Sequence, residues 1–186
     1  MIGIFVKDSL FCPDDYQKTV FDINFEALKQ KGIKALLIDL DNTLIPYDET
    51  SPNDLIIQLF SKLTLLEFQI VIISNNHYDR VKFFSNQVHS LFVSSARKPL
   101  KRGFKKAFNF LHDVTCNQVC VIGDQFMTDV LGGKRMGFNV IVVDAIKRNV
   151  EKWYTKLNRK LEKRVLVKLK KHNIAYFNEL HLAEKR

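Results

Sequence analysis

The chain has 186 residues, 46% of them hydrophobic and 26% charged, a composition typical of a globular domain. No apolar run approaches the roughly 18 residues of a membrane span. Residues 1–15 lack a basic region followed by an apolar core, so we expect no signal peptide and a cytoplasmic location. The net charge of +9 lies within residues 147–171, which hold eleven Lys or Arg and two Glu. An anionic partner is therefore expected to bind that segment.

The predicted elements alternate between strands and helices. Strands are predicted at residues 35–40, 69–73, 90–93, 119–122 and 139–143, and helices at about 24–31, 52–66, 79–88, 104–111 and 128–136. Residues 11–16 are predicted to be an irregular lead-in, and Pro52 to open its helix after Ser51 as the N-cap. This alternation predicts an α/β, Rossmann-like fold with a five-stranded parallel sheet and helices on both faces.

The basic segment begins a predicted C-terminal extension. We divide the chain into a core, residues 1–146, and a basic helical extension, residues 147–186, packed on or next to that core. Trp153 and Tyr154 precede an apolar stripe with Lys and Arg between its members, and the stripe consists of Leu157, Leu161, Val165 and Leu169. Such a helix can lie on an anionic membrane surface. The stripe can equally pack on the core and leave the charges solvated, and the spacing does not distinguish the two.

Polar residues follow four of the predicted strands. They are, in chain order, Asp39, Asp41, Thr43, Ser74, Asn75, Lys98, Asp124 and Asp129. Ligands of open α/β sheets bind beyond the carboxyl ends of the strands, so we expect these residues to converge there. Each feature alone is typical of a turn or a helix cap. Their joint occurrence at successive strand ends favours a functional site.

These residue types fit phosphoryl transfer. Asp39 can attack phosphorus as a nucleophile, and Asp41 can protonate the leaving oxygen and later deprotonate the attacking water. A carboxylate attacking a phosphate brings two anions together, which requires a bridging Mg²⁺. Asp124 is the natural second metal ligand, and Asp129 could hold a metal-bound water.

The remaining polar residues have supporting roles in this interpretation. Ser74 and Lys98 supply a hydroxyl donor and a positive charge for the equatorial phosphate oxygens. Thr43 could fix the loop that carries Asp41.

Residues 37–44, 72–75, 98–99 and 123–129 resemble the four motifs of haloacid dehalogenase (HAD) superfamily phosphatases. The resemblance implies Asp39 as nucleophile and Asp41 as general acid and base. It also implies Mg²⁺ bound by the Asp39 carboxylate, the Asp41 backbone carbonyl and Asp124, with Asp129 in support. It implies that Ser74 and Lys98 hold the phosphate. We predict Thr43, Ser74, Asn75 and Lys98 as the substrate-binding residues.

A closer resemblance extends beyond these motifs, to residues 11–14, 20–23, 32–34 and 158–162. Together with the motifs they resemble the YqeG-type HAD phosphatases of class IIIA. That family is similar to the mitochondrial phosphatidylglycerophosphate phosphatases, which release phosphate to leave phosphatidylglycerol. The resemblance thus implies a phospholipid headgroup as substrate.

The spacing of the motifs leaves no room for a cap domain. Only a turn fits between Thr43 and Pro52, and only one helix and one strand fit between Ser74 and Lys98. An open site suits a phosphate presented on a large partner, such as a lipid surface.

Three functions remain open from the sequence. The first is a Mg²⁺-dependent phosphatase acting on a phospholipid headgroup, with peripheral membrane contact through residues 147–171. The second is the same enzyme acting on a soluble nucleotide, sugar phosphate or phosphoprotein. The third is a nucleic-acid-binding module that uses the basic segment for RNA, which the intact set of catalytic motifs disfavours.

Overall fold

A computed structural model of the chain describes residues 8–185, and all elements and contacts given for the chain lie within that range. The expectation of no signal peptide concerns residues 1–15, of which the first seven lie outside the described residues. The division at residue 146 stays a prediction.

A parallel sheet of six strands forms the centre of the fold. The strands are β1 (Asp15–Gln17), β2 (Ala35–Ile38), β3 (Gln69–Ile73), β4 (Leu91–Val93), β5 (Val119–Gly123) and β6 (Asn139–Val143). Their spatial order is β1-β6-β5-β2-β3-β4, and every neighbouring pair is parallel. The strand β2 therefore lies between β3 and β5, with Leu37 in register with Val71 and with Val121. Since all four residues of β2 are buried, its continuous apolar run fits a strand covered on both faces.

The prediction of five strands is wrong, because the segment treated as an irregular lead-in contains β1. This strand pairs Tyr16 with Val142 at the edge of the sheet. Only Tyr16 of its three residues is buried, so the segment shows no apolar run. Asp14 extends the pairing, since its carboxylate accepts from Val140 N at 2.7 Å.

Helices cover both faces of the sheet, as predicted. They are α1 (Phe25–Gln30), α2 (Asp54–Leu65), α3 (Tyr78–Gln87), α4 (Lys101–Phe108), α5 (Leu131–Met136), α6 (Trp153–His172) and α7 (Ile174–Glu179). One face buries Phe25 of α1, Leu63 of α2 and Phe84 of α3 in a single cluster with alternate residues of the strands. Phe104 of α4 and Phe177 of α7 pack on the opposite face. The alternation along each strand thus divides the core into two layers.

Three predicted helix starts are wrong. The helix predicted at about 104–111 is α4, which begins three residues earlier, at Lys101, and ends at Phe108. The helix α2 begins at Asp54, because Asn53 is its N-cap and accepts from Ile56 N at 3.0 Å. Ser51 and Pro52 therefore precede the helix. The predicted helix at 128–136 is α5 preceded by one π-helical turn (Phe126–Val130), in which Val130 N donates to Gln125 O. A π turn is common at functional sites, and this one carries Asp129.

The apolar stripe of the C-terminal extension packs mainly on the core. Leu169 of α6 is buried with residues of the sheet, and Leu161 and Val165 are half-buried beside a small apolar cluster. Leu157, the fourth member, is exposed. Three of the four members of the stripe thus contribute to packing.

The outer face of α6 has a different composition. Its exposed residues include Trp153, Leu157, Lys160, Arg164, Val167 and Lys171. Within residues 8–185, none of the helices combines the length and the apolar content that a membrane-spanning helix needs.

Close packing between α4 and α5 predicts the effect of one added methyl group. A Cβ at Gly132 would lie 2.2 Å from the Phe104 ring, which is fully buried and cannot move into solvent. We expect Gly132→Ala to lower the free energy of unfolding by about 1–2 kcal/mol, because overpacking outweighs the higher helix propensity of Ala. Urea unfolding followed by circular dichroism measures this change.

The control is Leu65→Ala, at a side chain that is 84% exposed. Its expected effect is within about 0.5 kcal/mol. A Gly132→Ala variant at least as stable as the parent chain would contradict the packing described here.

Candidate active site

The carboxyl ends of β2 and β5 carry acidic residues that meet around one buried lysine. Lys98 Nζ lies 2.6 Å from Asp39 Oδ1 and 2.6 Å from Asp129 Oδ1. Asp39 follows β2, Asp129 follows β5, and Lys98 comes from the loop after β4. The parallel sheet therefore brings three distant segments of the chain to one point.

Burial and charge act on these groups together. Burial raises the pKa of Asp39 well above its usual value; the Lys98 ammonium opposes this rise, and neighbouring carboxylates reinforce it. Burial alone would lower the pKa of Lys98, but Asp129 and Asp39 outweigh it and raise that pKa above its ordinary value. Lys98 is thus a permanent cation at neutral pH.

Asp39, Asp124 and Asp129 form a buried trio whose ligand atoms all lie within 4.8 Å of one another. Asp124 Oδ1 is buried and accepts no hydrogen bond from the described residues. Carboxylate oxygens are the ligands that hard divalent cations prefer. The orphaned oxygen and the trio therefore fit a divalent metal ion. The fit depends on Gly123, since a Cβ there would lie 2.4 Å from Asp129 Cγ.

Asp41 is held by Ser74 and by two residues that the sequence did not point to, Arg80 and Asn76. Arg80 of α3 donates from Nε to Asp41 Oδ1 at 2.9 Å, and its Nη2 lies 2.8 Å from the same oxygen in an ion pair. Asn76 Nδ2 and Ser74 Oγ donate to Oδ2 at 3.2 and 3.3 Å. Three hydrogen bonds and one ion pair thus fix the orientation of this carboxylate.

The other predicted residues lie beside these two aspartates. Thr43 is buried, and its hydroxyl lies 3.4 Å from Asp39 Oδ2. The Asn75 side chain accepts from Lys98 N at 2.6 Å and donates to Lys98 O at 3.1 Å. Asn75 thereby holds the backbone that presents the lysine. All eight predicted residues converge, and their catalytic and binding roles stay predictions.

A cavity of about 360 Å³ opens in front of these residues. Asp39, Asp41, Ser74, Asn75 and Lys98 line one side of it. The helix α6 forms another side, with Tyr154, Thr155, Asn158 and Leu161. The C-terminal extension therefore contributes directly to the candidate site.

A second buried cation also comes from α6. Arg159 forms an ion pair with Asp124 and further ion pairs with Glu151 and Glu162. In the sequence, Arg159 and Glu162 lie within residues 158–162, which resemble the YqeG-type phosphatases, and no role is predicted for either. Their spacing of three residues on a basic helix gives no sign that both point inward.

Comparisons with known proteins agree with this geometry. The family model described as mitochondrial PGP phosphatase matches residues 1–147. The probable phosphatase YqeG of Bacillus subtilis is 36% identical over 161 residues, which are 87% of this chain and 92% of that protein.

Two further relatives are more distant. Phosphatidylglycerophosphate phosphatase 1 of Arabidopsis thaliana, chloroplastic/mitochondrial, is 26% identical over 173 residues. The match covers 87% of this chain but only 49% of that relative, so the chain spans about half of its length. The cobalt-bound deoxy-D-mannose-octulosonate 8-phosphate phosphatase (YrbI) of Haemophilus influenzae is 17% identical, with a TM-score of 0.50, over 74% of this chain and 90% of that one.

The similarity to YrbI, at 17% identity, concerns the fold alone. The family model and the match to YqeG rest on sequence and cover most of the chain. The chain therefore belongs to the mitochondrial PGP phosphatase family and is a YqeG-type phosphatase of the HAD superfamily.

Proposed function

We propose that this phosphatase hydrolyses phosphate monoesters through a phosphoaspartate on Asp39. The observation that carries the proposal is the position of Asp39, which directly follows the carboxyl end of β2 and lines the cavity. Its Oδ1 lies 2.6 Å from Lys98 Nζ. Lys98 would oppose the burial that raises the pKa of Asp39 and would attract the phosphate. In the first step Asp39 attacks phosphorus, and the bond between phosphorus and the ester oxygen breaks.

Asp41 would carry the proton in both steps. It gives a proton to the departing ester oxygen, which leaves as the alcohol. It then takes a proton from the water that attacks the phosphoaspartate, and inorganic phosphate leaves while Asp39 is restored. The hydrogen bonds and the ion pair around Asp41 would keep its carboxylate within reach of the cavity. Ser74, which donates to Asp41, also lines the cavity and would bind a phosphate oxygen.

We propose Mg²⁺ as the divalent cation, held by Asp39 and Asp124 with Asp129 in support. The backbone carbonyl of Asp41 would be a further ligand. Bound there, the cation would neutralise the charge of the phosphoryl oxygens during transfer.

The proposed substrate is phosphatidylglycerophosphate, which would become phosphatidylglycerol. The family model and the name of the Arabidopsis relative support it. Short connections around the site add support: between β3 and Lys98 the described chain contains only α3 and β4. An absent cap domain would leave the cavity accessible to a headgroup on a large surface.

The outer face of α6 is the proposed contact with an anionic membrane. Trp153, Leu157 and Val167 are exposed there beside Lys160, Arg164 and Lys171. Apolar and aromatic side chains can enter the interface while cations contact anionic headgroups. The cytoplasmic location expected from the sequence stays a prediction.

The test of the reaction is a phosphate-release assay on a panel of substrates with and without Mg²⁺. The panel contains phosphatidylglycerophosphate in mixed micelles, a nucleotide, a sugar phosphate and a phosphopeptide. We expect Mg²⁺-dependent release from the lipid, and a loss of about 10⁴-fold or more in Asp39→Asn, because the amide is not a nucleophile.

Asp113→Asn, at an exposed position, is the matched control and should keep full activity. Retained release by Asp39→Asn would refute the nucleophile. If the chain hydrolyses a soluble member of the panel in preference to the lipid, the proposed mechanism is retained but the proposed substrate is wrong.

The proposed membrane contact predicts salt-sensitive binding to vesicles that contain phosphatidylglycerol. Each cation near such a surface contributes about 1 kcal/mol. The triple variant Lys160→Gln/Arg164→Gln/Lys171→Gln should therefore bind roughly a hundredfold more weakly in a sedimentation assay.

A control with the same change in charge is Lys31→Gln/Lys34→Gln/Lys82→Gln, at exposed residues on the side of α1 and α3. It should bind nearly as the parent chain does. Equal losses in both triple variants would show that net charge, and not this face, governs binding.

A further inference from the structure

Arg159 joins the C-terminal extension to the candidate metal site. Its guanidinium is buried among three carboxylates, those of Asp124, Glu151 and Glu162. Nε and Nη2 lie 3.0 and 2.8 Å from Glu151 Oε1, and Nη1 lies 3.0 Å from Glu162 Oε2. Nη1 also donates to the Asp124 backbone carbonyl at 2.9 Å, while Nη2 contacts Asp124 Oδ2.

The two glutamates extend this contact to both acidic loops. Glu162 Oε1 accepts from Phe126 N at 2.6 Å, in the segment between Asp124 and Asp129. Glu151 Oε1 accepts from Asn42 Nδ2 at 3.2 Å, and Asn42 directly follows Asp41. One guanidinium thus connects the loop after β2 with the loop after β5.

The contacts of Asp124 leave one oxygen available. Arg159 occupies Oδ2, and the backbone carbonyl accepts from Arg159 and from Lys185 Nζ at 3.0 Å. Oδ1 is buried and accepts no hydrogen bond from the described residues. This oxygen belongs to the residue that completes the acidic trio. The guanidinium therefore fixes the carboxylate in an orientation that leaves Oδ1 for a cation.

Charge alone cannot explain the position of Arg159. A permanent cation beside a metal ligand repels a metal ion, so its charge should weaken metal binding. A buried ion-pair cluster often contributes no more to the free energy of unfolding than apolar residues of similar volume would. Stability alone therefore gives little reason for this cluster. The remaining advantage of Arg159 is that it orients the Asp124 carboxylate, since groups that hold a metal ligand in place strengthen metal binding.

We propose that Arg159 is a positioning residue, which orients the Asp124 carboxylate for Mg²⁺ and makes the C-terminal extension part of the active site. It acts through Asp124 and has no contact with substrate in this role. The inference depends on the proposed metal site, and it extends the functional unit beyond residue 147, where the match to the family model ends.

The test measures Mg²⁺ binding by isothermal titration calorimetry on the full chain without substrate. Two variants conserve charge. Arg159→Lys keeps the cation but cannot donate at once to the Asp124 backbone carbonyl, to Asp124 Oδ2 and to both glutamates. Arg159→Gln/Glu151→Gln removes one cation and one anion together. We expect Mg²⁺ to bind roughly 10–100-fold more weakly in both.

A kinetic measurement separates positioning from general damage. The Mg²⁺ concentration for half-maximal phosphate release should rise by the same factor, whereas kcat at saturating Mg²⁺ should stay within a few fold of the parent value. Arg102→Lys, at an exposed position of α4, is the matched control and should change neither quantity.

Unchanged or tighter Mg²⁺ binding in folded Arg159→Lys would overturn the proposal. Failure of both variants to fold would assign Arg159 to stability and also overturn it. A parent chain that binds no Mg²⁺ would refute the proposed metal site itself, and the positioning role would fail with it.

Discussion

The ion pairs of Lys98 are the interaction on which the site depends. Four aspartates, at positions 39, 41, 124 and 129, lie at the carboxyl edge of the sheet, and like charges this close repel each other. Lys98 lies 2.6 Å from two of them and is almost fully buried. Its raised pKa means that the cation persists wherever the carboxylates are ionised. The chain can therefore keep the proposed nucleophile and the proposed metal ligands together before any metal binds.

The same constraint accounts for the other cations around the site. Arg80 holds Asp41 from the side of α3, and Arg159 holds Asp124 from α6. Asp41 and Asp124 thus each have a separate arginine partner, and the two arginines come from different helices. Because removal of one partner leaves a buried charge uncompensated, the arrangement links the integrity of the site to the packing of α3 and α6 on the sheet.

Much of this site could be predicted from the sequence, because parallel strands bring their carboxyl ends to one edge. Asp39, Ser74 and Asp124 needed only correct strand ends. The contacts of Arg80 and Arg159 could not be predicted, since they depend on how helices pack across large separations in sequence. The edge strand at Tyr16 was missed for a similar reason: its pairing with β6 comes from tertiary contact and not from a local apolar pattern.

The helix α6 illustrates how one periodicity can serve two surfaces. Leucines and valines every four residues suit both core packing and a membrane interface. The burial of each side chain shows which of them pack on the core and which remain exposed. Leu169 is in the core and Leu161 is half-buried, so most of the stripe is already used in the fold. Leu157 remains exposed, and among all exposed residues of α6 the Lys and Arg side chains outnumber the large apolar and aromatic ones. Attraction of this face to a bilayer would therefore be mainly electrostatic, while the opposite face of the same helix holds Asp124.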